Sequence, residues 1–61
     1  MNAKEVLRIL YEHGFGHVSQ KGSHLKLAKE DKKVIVPMHG TKEIPIGTIK
    51  SIEKQSGVKL R

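Results

Sequence analysis

The stretch Ser23-His24-Leu25-Lys26-Leu27-Ala28-Lys29-Glu30-Asp31-Lys32-Lys33-Val34-Ile35-Val36-Pro37-Met38-His39 decides the fold. Residues 23–28 alternate strictly between polar or small and apolar side chains, the period of a half-buried strand. Lys29-Glu30-Asp31-Lys32 is a charged turn, and residues 34–39 are rich in the β-branched side chains that suit a pleated surface. A connection this short predicts an antiparallel hairpin. Turning between Glu30 and Asp31 pairs Leu25 with Val36 and Leu27 with Val34, so two core pairs match in one register. Val34, Val36 and Met38 then face the core with Leu25 and Leu27. His24, Lys26, Ala28, Ile35, Pro37 and His39 face the other way. In this register His24 lies opposite Pro37 and diagonal to His39, at about 7–8 Å between backbones. A slip of one residue would put the two histidines on opposite faces.

Working outward, residues 15–20 read as a further extended segment, followed by a Lys21-Gly22 turn. Upstream, Asn2 and Glu5 have the spacing of a capping box. Ala3, Val6, Leu7, Leu10 and Tyr11 follow as one apolar stripe at helical period, with Lys4, Glu5, Arg8 and Glu12 opposite. The pattern predicts a helix over 3–13, stopped by Gly14, with Phe15 folding back on its last turn. Downstream, residues 39–44 connect to a second helix with Pro45 at its first position. There Ile46, Ile49 and Ile52 form the apolar side, Gly47, Lys50, Ser51 and Lys54 lie towards the other, and Gly57 ends it. Residues 58–61 carry no assignable pattern. The order is α-β-β-β-α, and two amphipathic helices need one apolar sheet face to cover. The expected fold is therefore α+β: a two-layer sandwich, a three-stranded antiparallel sheet with both helices on one face and the other face open to water.

Sixty-one residues suit one small domain over 1–61, with a thin core. The chain lacks cysteine, which excludes a disulfide framework and a thiolate metal site. No apolar run approaches the roughly 20 residues of a bilayer span, and no signal-peptide pattern opens the chain. A cytoplasmic protein is the expectation, with no membrane partner. The formal charge is +6, from 12 Lys and Arg against 6 Asp and Glu. Residues 1–20 are balanced, so the whole excess starts at Lys21 and runs to the end. Such asymmetry points to a polyanionic partner, although net charge also serves solubility.

A histidine amid lysines on an open sheet has a specific chemical use. Imidazole changes charge near neutral pH, so it can take a proton from one oxygen and give one to another. Lysines around it hold phosphates and stabilise the charge that develops on them. In RNA the 2′-hydroxyl adjoins its own phosphate, and a base acting on it cleaves the chain without a metal; DNA lacks that hydroxyl. The bland alternative is that His24 is a solvated strand residue and Gly22-Ser23 a tight turn. His13 and His17 are four apart, but Gly14 and Gly16 argue against a shared helical turn, and no metal site is expected. His39 reads as a second proton-transfer or phosphate-contacting group, or as a residue capping the strand end. The second helix can receive a phosphate at its N-terminus, with Lys42 upstream and Lys50 and Lys54 on its polar side.

The chain resembles the HicA family of toxin-antitoxin ribonucleases. The resemblance rests on Gly14-Phe15, Lys21-Gly22-Ser23-His24, Val36-Pro37-Met38-His39, and Gly47-Thr48-Ile49-Lys50-Ser51-Ile52 through Gly57. It implies a fold like the double-stranded RNA-binding domain, cleavage of mRNA (single-stranded or structured), and a HicB-type antitoxin partner that blocks the toxin. It also implies that His24 is the catalytic residue. The residues themselves then suggest that His24 acts as general base or acid, with Gly22 and Ser23 placing it. Lys21, Lys26 and His39 would hold the scissile phosphate, and Lys42, Lys50 and Lys54 would contact RNA, with no cofactor. Ser19 departs from the basic residue expected on the first strand. The rival readings are a non-catalytic RNA-binding module and a structural subunit whose basic face only docks on an acidic antitoxin.

Overall fold

A computed structural model describes residues 1–61 and orders them as helix α1 (Ala3–Glu12), strands β1 (Gly16–Lys21), β2 (His24–Lys29) and β3 (Lys32–Pro37), and helix α2 (Ile46–Ser56). Helix α1 starts where the capping box predicts. The Asn2 side chain accepts from the Glu5 backbone N–H, and the Glu5 carboxylate accepts from the Asn2 backbone N–H, both at 3.0 Å. It stops at Gly14, whose φ of +91° needs no side chain in the left-handed region. Phe15 N–H bonds to Leu10 C=O and Gly14 N–H to Tyr11 C=O, both at 3.0 Å, the paired bonds of a Schellman motif. Phe15 is thereby folded back and buried at the foot of α1.

The sheet has the order β1-β2-β3, antiparallel throughout. The β2–β3 register is the one predicted: Leu25 opposite Val36, Leu27 opposite Val34 and His24 opposite Pro37. Ala3, Val6 and Leu10 of α1 and Ile49 and Ile52 of α2 join Leu25, Leu27, Val34 and Val36 in one core, so both helices cover the same face. Val6, Leu10, Leu27, Val34, Val36 and Ile52 are almost wholly buried, each contributing about 1.5–3 kcal/mol relative to exposure. The Gln55 side chain fastens α2 to the free edge of β3 by accepting the Ile35 N–H at 3.3 Å. No helix is long and apolar enough to cross a membrane.

Several expectations are corrected. The first hairpin turns at Gly22-Ser23 rather than Lys21-Gly22, so Lys21 is the last residue of β1 and pairs with His24. The ladder between β1 and β2 is interrupted by a bulge at Val18, which two-residue alternation could not signal. The third strand ends at Pro37, leaving Met38 half-buried against the core and His39 in the following loop. Pro45 is the N-cap of α2, not its first helical residue. Ile46 is 56 % exposed and Tyr11 44 %, because both lie beyond the reach of the opposing layer. The buried line of α2 is instead Ile49, Ile52 and Ser56. Ser56 is buried without cost in unpaired polar groups: its hydroxyl donates to Ile52 C=O at 2.7 Å and accepts from Val58 N–H at 3.1 Å. That bond turns the tail inward, where Val58 and Leu60 complete the core and Glu53 receives the Leu60 N–H.

Candidate active site

His24 is the first residue of β2 and is exposed on the face away from the helices. Its position follows from the hairpin before it. Gly22 takes φ +59°, a left-handed value at the first of two turn residues, and the space around it is open. The turn is held from both flanks. The Gln20 amide donates to Gly22 C=O at 3.1 Å, and Met38 N–H donates to Ser23 C=O. The second bond carries the β2–β3 pairing one residue past Pro37 and ties the loop holding His39 to the turn holding His24.

A concavity of about 630 Å³ opens beside this turn, lined by His24, Ile35, Pro37, His39, Lys42, Glu43, Pro45 and Thr48. It therefore joins the end of the sheet, the 39–44 loop and the first turn of α2. Of the candidate residues, His24, His39 and Lys42 line it together. Lys21 lies directly across from His24, and Lys26 lies two residues along the same face, paired with Ser19. Lys50 and Lys54 are exposed on α2 but outside the concavity. Pro45, Thr48 and Glu43 belong to the site and were not singled out from the sequence. The Pro immediately before a helix, followed by a hydroxyl residue in its first turn, is the signal that could have found the first two.

The charges around the concavity are arranged asymmetrically. Glu43 is its carboxylate, and that group accepts from the Met1 ammonium, which raises the α-amino group above its ordinary value of 8.0. The pairing offsets the one negative charge beside His39 and Lys42. The N-terminus is tied to this loop a second time by Ile44 N–H bonding to Met1 C=O at 2.9 Å. At the far wall, α2 begins without a side-chain cap, so its first N–H groups are free for an acceptor beside Thr48. Two imidazoles, an ammonium and an uncapped helix start are an arrangement suited to proton transfer around a phosphodiester.

Residues 3–58 match the family described as the HicA toxin of bacterial toxin-antitoxin systems. The chain is also similar to the probable mRNA interferase HicA of Pseudomonas fluorescens (strain Pf0-1). The two are 41 % identical over 59 residues, which is 97 % of this chain and 98 % of that protein.

Proposed function

The chain belongs to the HicA toxin family, and from that premise we propose that it is an mRNA interferase, an endoribonuclease toxin of a toxin-antitoxin pair, with His24 as its proton-transfer residue. It would act on cytoplasmic mRNA and be neutralised by a HicB-type antitoxin. One observation supports the catalytic assignment above the rest: His24 stands exposed at the rim of the concavity that also holds His39 and Lys42.

In this reading a phosphodiester of the RNA enters the concavity. Lys42, together with Lys21 and Lys26 flanking His24, attracts and holds the backbone, and the uncapped first turn of α2 offers N–H groups to a phosphate oxygen. His24 takes the proton of the 2′-hydroxyl as that oxygen attacks the adjacent phosphorus. The Gly22-Ser23 turn, fixed by Gln20 and Met38, positions the backbone that bears the imidazole at the edge of the concavity. Lys50 and Lys54 extend the basic surface along α2 and contact RNA away from the cleaved bond.

The test is cleavage of RNA by the purified protein, with and without EDTA, beside its His24→Ala variant. Wild type is expected to cut in both conditions, and His24→Ala to lose about 10²–10⁴-fold in rate with an unchanged circular dichroism spectrum. Salt-sensitive RNA binding with no cleavage by wild type would instead establish the non-catalytic module.

A further inference from the structure

Cleavage by 2′-hydroxyl attack needs a second proton transfer, and the concavity contains a residue placed to perform it. Resting on the nuclease reading above, we propose that His39 is a second catalytic residue, the acid that protonates the departing 5′-oxygen.

The other groups lining the concavity are poor sources of that proton. Glu43 already accepts from the Met1 ammonium. A lysine ammonium is a weaker acid than an imidazolium, so Lys42 suits holding the phosphate rather than giving up a proton. The Thr48 hydroxyl is weaker still as an acid. That leaves His39, which lines the same concavity as His24. It is exposed and two residues past Pro37, the cross-strand partner of His24.

Although His39 lies in a loop, its backbone is fastened on both sides. Met38 N–H donates to Ser23 C=O, the residue immediately before His24. On the other side His39 C=O accepts from Lys42 N–H at 3.3 Å, closing a turn through Gly40, whose φ is +66°. The two histidines are thus borne by backbone segments hydrogen-bonded to each other. Both rings border the same concavity of about 630 Å³, which has room for a phosphate between them.

The step balances with these groups alone. The 2′-oxygen forms its bond to phosphorus and gives its proton to His24. The bond from phosphorus to the 5′-oxygen breaks, its electron pair stays on that oxygen, and His39 delivers a proton there. The products are a 2′,3′-cyclic phosphate and a free 5′-hydroxyl. His24 leaves the step protonated and His39 neutral, and exchange with water resets both.

The test uses an RNA whose cleavage site by wild type has been mapped, and a twin with sulfur in place of the bridging 5′-oxygen at that bond. A thiolate leaves without a proton, so only the acid becomes dispensable. His39→Ala is expected to slow cleavage of the ordinary RNA by about 10²–10⁴-fold and to regain most of the wild-type rate on the sulfur twin. His24→Ala is expected to stay slow on both. Circular dichroism melts of His39→Ala and His39→Gln check that the loop change leaves the fold intact. Full activity of His39→Ala on ordinary RNA, an equal deficit on both substrates, or rescue of His24→Ala in its place would overturn the assignment. Failure of wild type to cut any RNA would overturn the nuclease reading itself, and the pair with it.

Discussion

Two residues open their hairpin turns with a positive φ, and they differ in what that costs. Gly22 adopts +59° freely, and it sits two positions before His24. Glu30 adopts +56° at the other hairpin, where its Cβ is disfavoured by roughly 1–2 kcal/mol. Glycine there would remove that strain but would add about 0.4–1 kcal/mol of unfolded-state entropy to be lost. Glu30→Gly is therefore expected to stabilise the protein by up to about 1 kcal/mol, read as a higher midpoint in urea. A lower midpoint would mean that the Glu30 side chain contributes more than its backbone strain removes. The turn at Gly22 has the opposite expectation for any larger residue, because the same φ would then carry the strain next to the catalytic candidate. His24 itself was legible from the sequence as a residue on the open face, since the period of two needs only a correct register. For His39 the sequence left two parts open, proton transfer or phosphate contact on one hand and capping of the strand end on the other, because the choice depends on where the strand stops and the loop begins.

At the scale of elements, each helix turned out narrower in its buried stripe than its apolar residues suggest. Tyr11 and Ile46 keep the helical spacing of the residues around them, yet both remain exposed. Spacing defines a face of the helix, but the width of the facing layer defines how much of that face is covered. Ile49 is 3 % exposed in the core, so Ile49→Ala is expected to cost about 2–5 kcal/mol, while Ile46→Ala stays within about 0.5 kcal/mol. Denaturant midpoints of the two variants separate the faces, and equal losses would contradict the packing of α2. The strands show the same division. The β2–β3 register follows from a two-residue connection and two matched core pairs. The β1–β2 ladder carries a bulge at Val18 because β1 is an edge strand with every residue exposed, so no core pair fixes its pairing.

For the molecule as a whole, the two chain ends do structural work. The N-terminus bonds to the 43–44 segment, and the tail closes the core through Val58 and Leu60. The hydrogen bond from the Met1 ammonium to Glu43 raises the amine above 8.0, so it favours the folded state while the amine is charged. That contribution is complete below the ordinary value and fades as pH rises through the raised one. With a free Met1 amine, the gap in melting temperature between wild type and Glu43→Gln should be larger near about pH 7 than near about pH 10. A gap that does not narrow with rising pH would show that the pair contributes nothing through its charge. Because Glu43 lines the concavity, the same contact links the N-terminus to the shape of the site. The order of elements, the central hairpin, its register and the cationic stretch from Lys21 onward were determined by the sequence alone, since each rests on local period, turn length or residue counting. The bulge, the buried tail and the gathering of Lys42 and Thr48 with the two histidines around one concavity were decided only by the tertiary structure. They join residues far apart along the chain, where a one-dimensional pattern carries no information about contact.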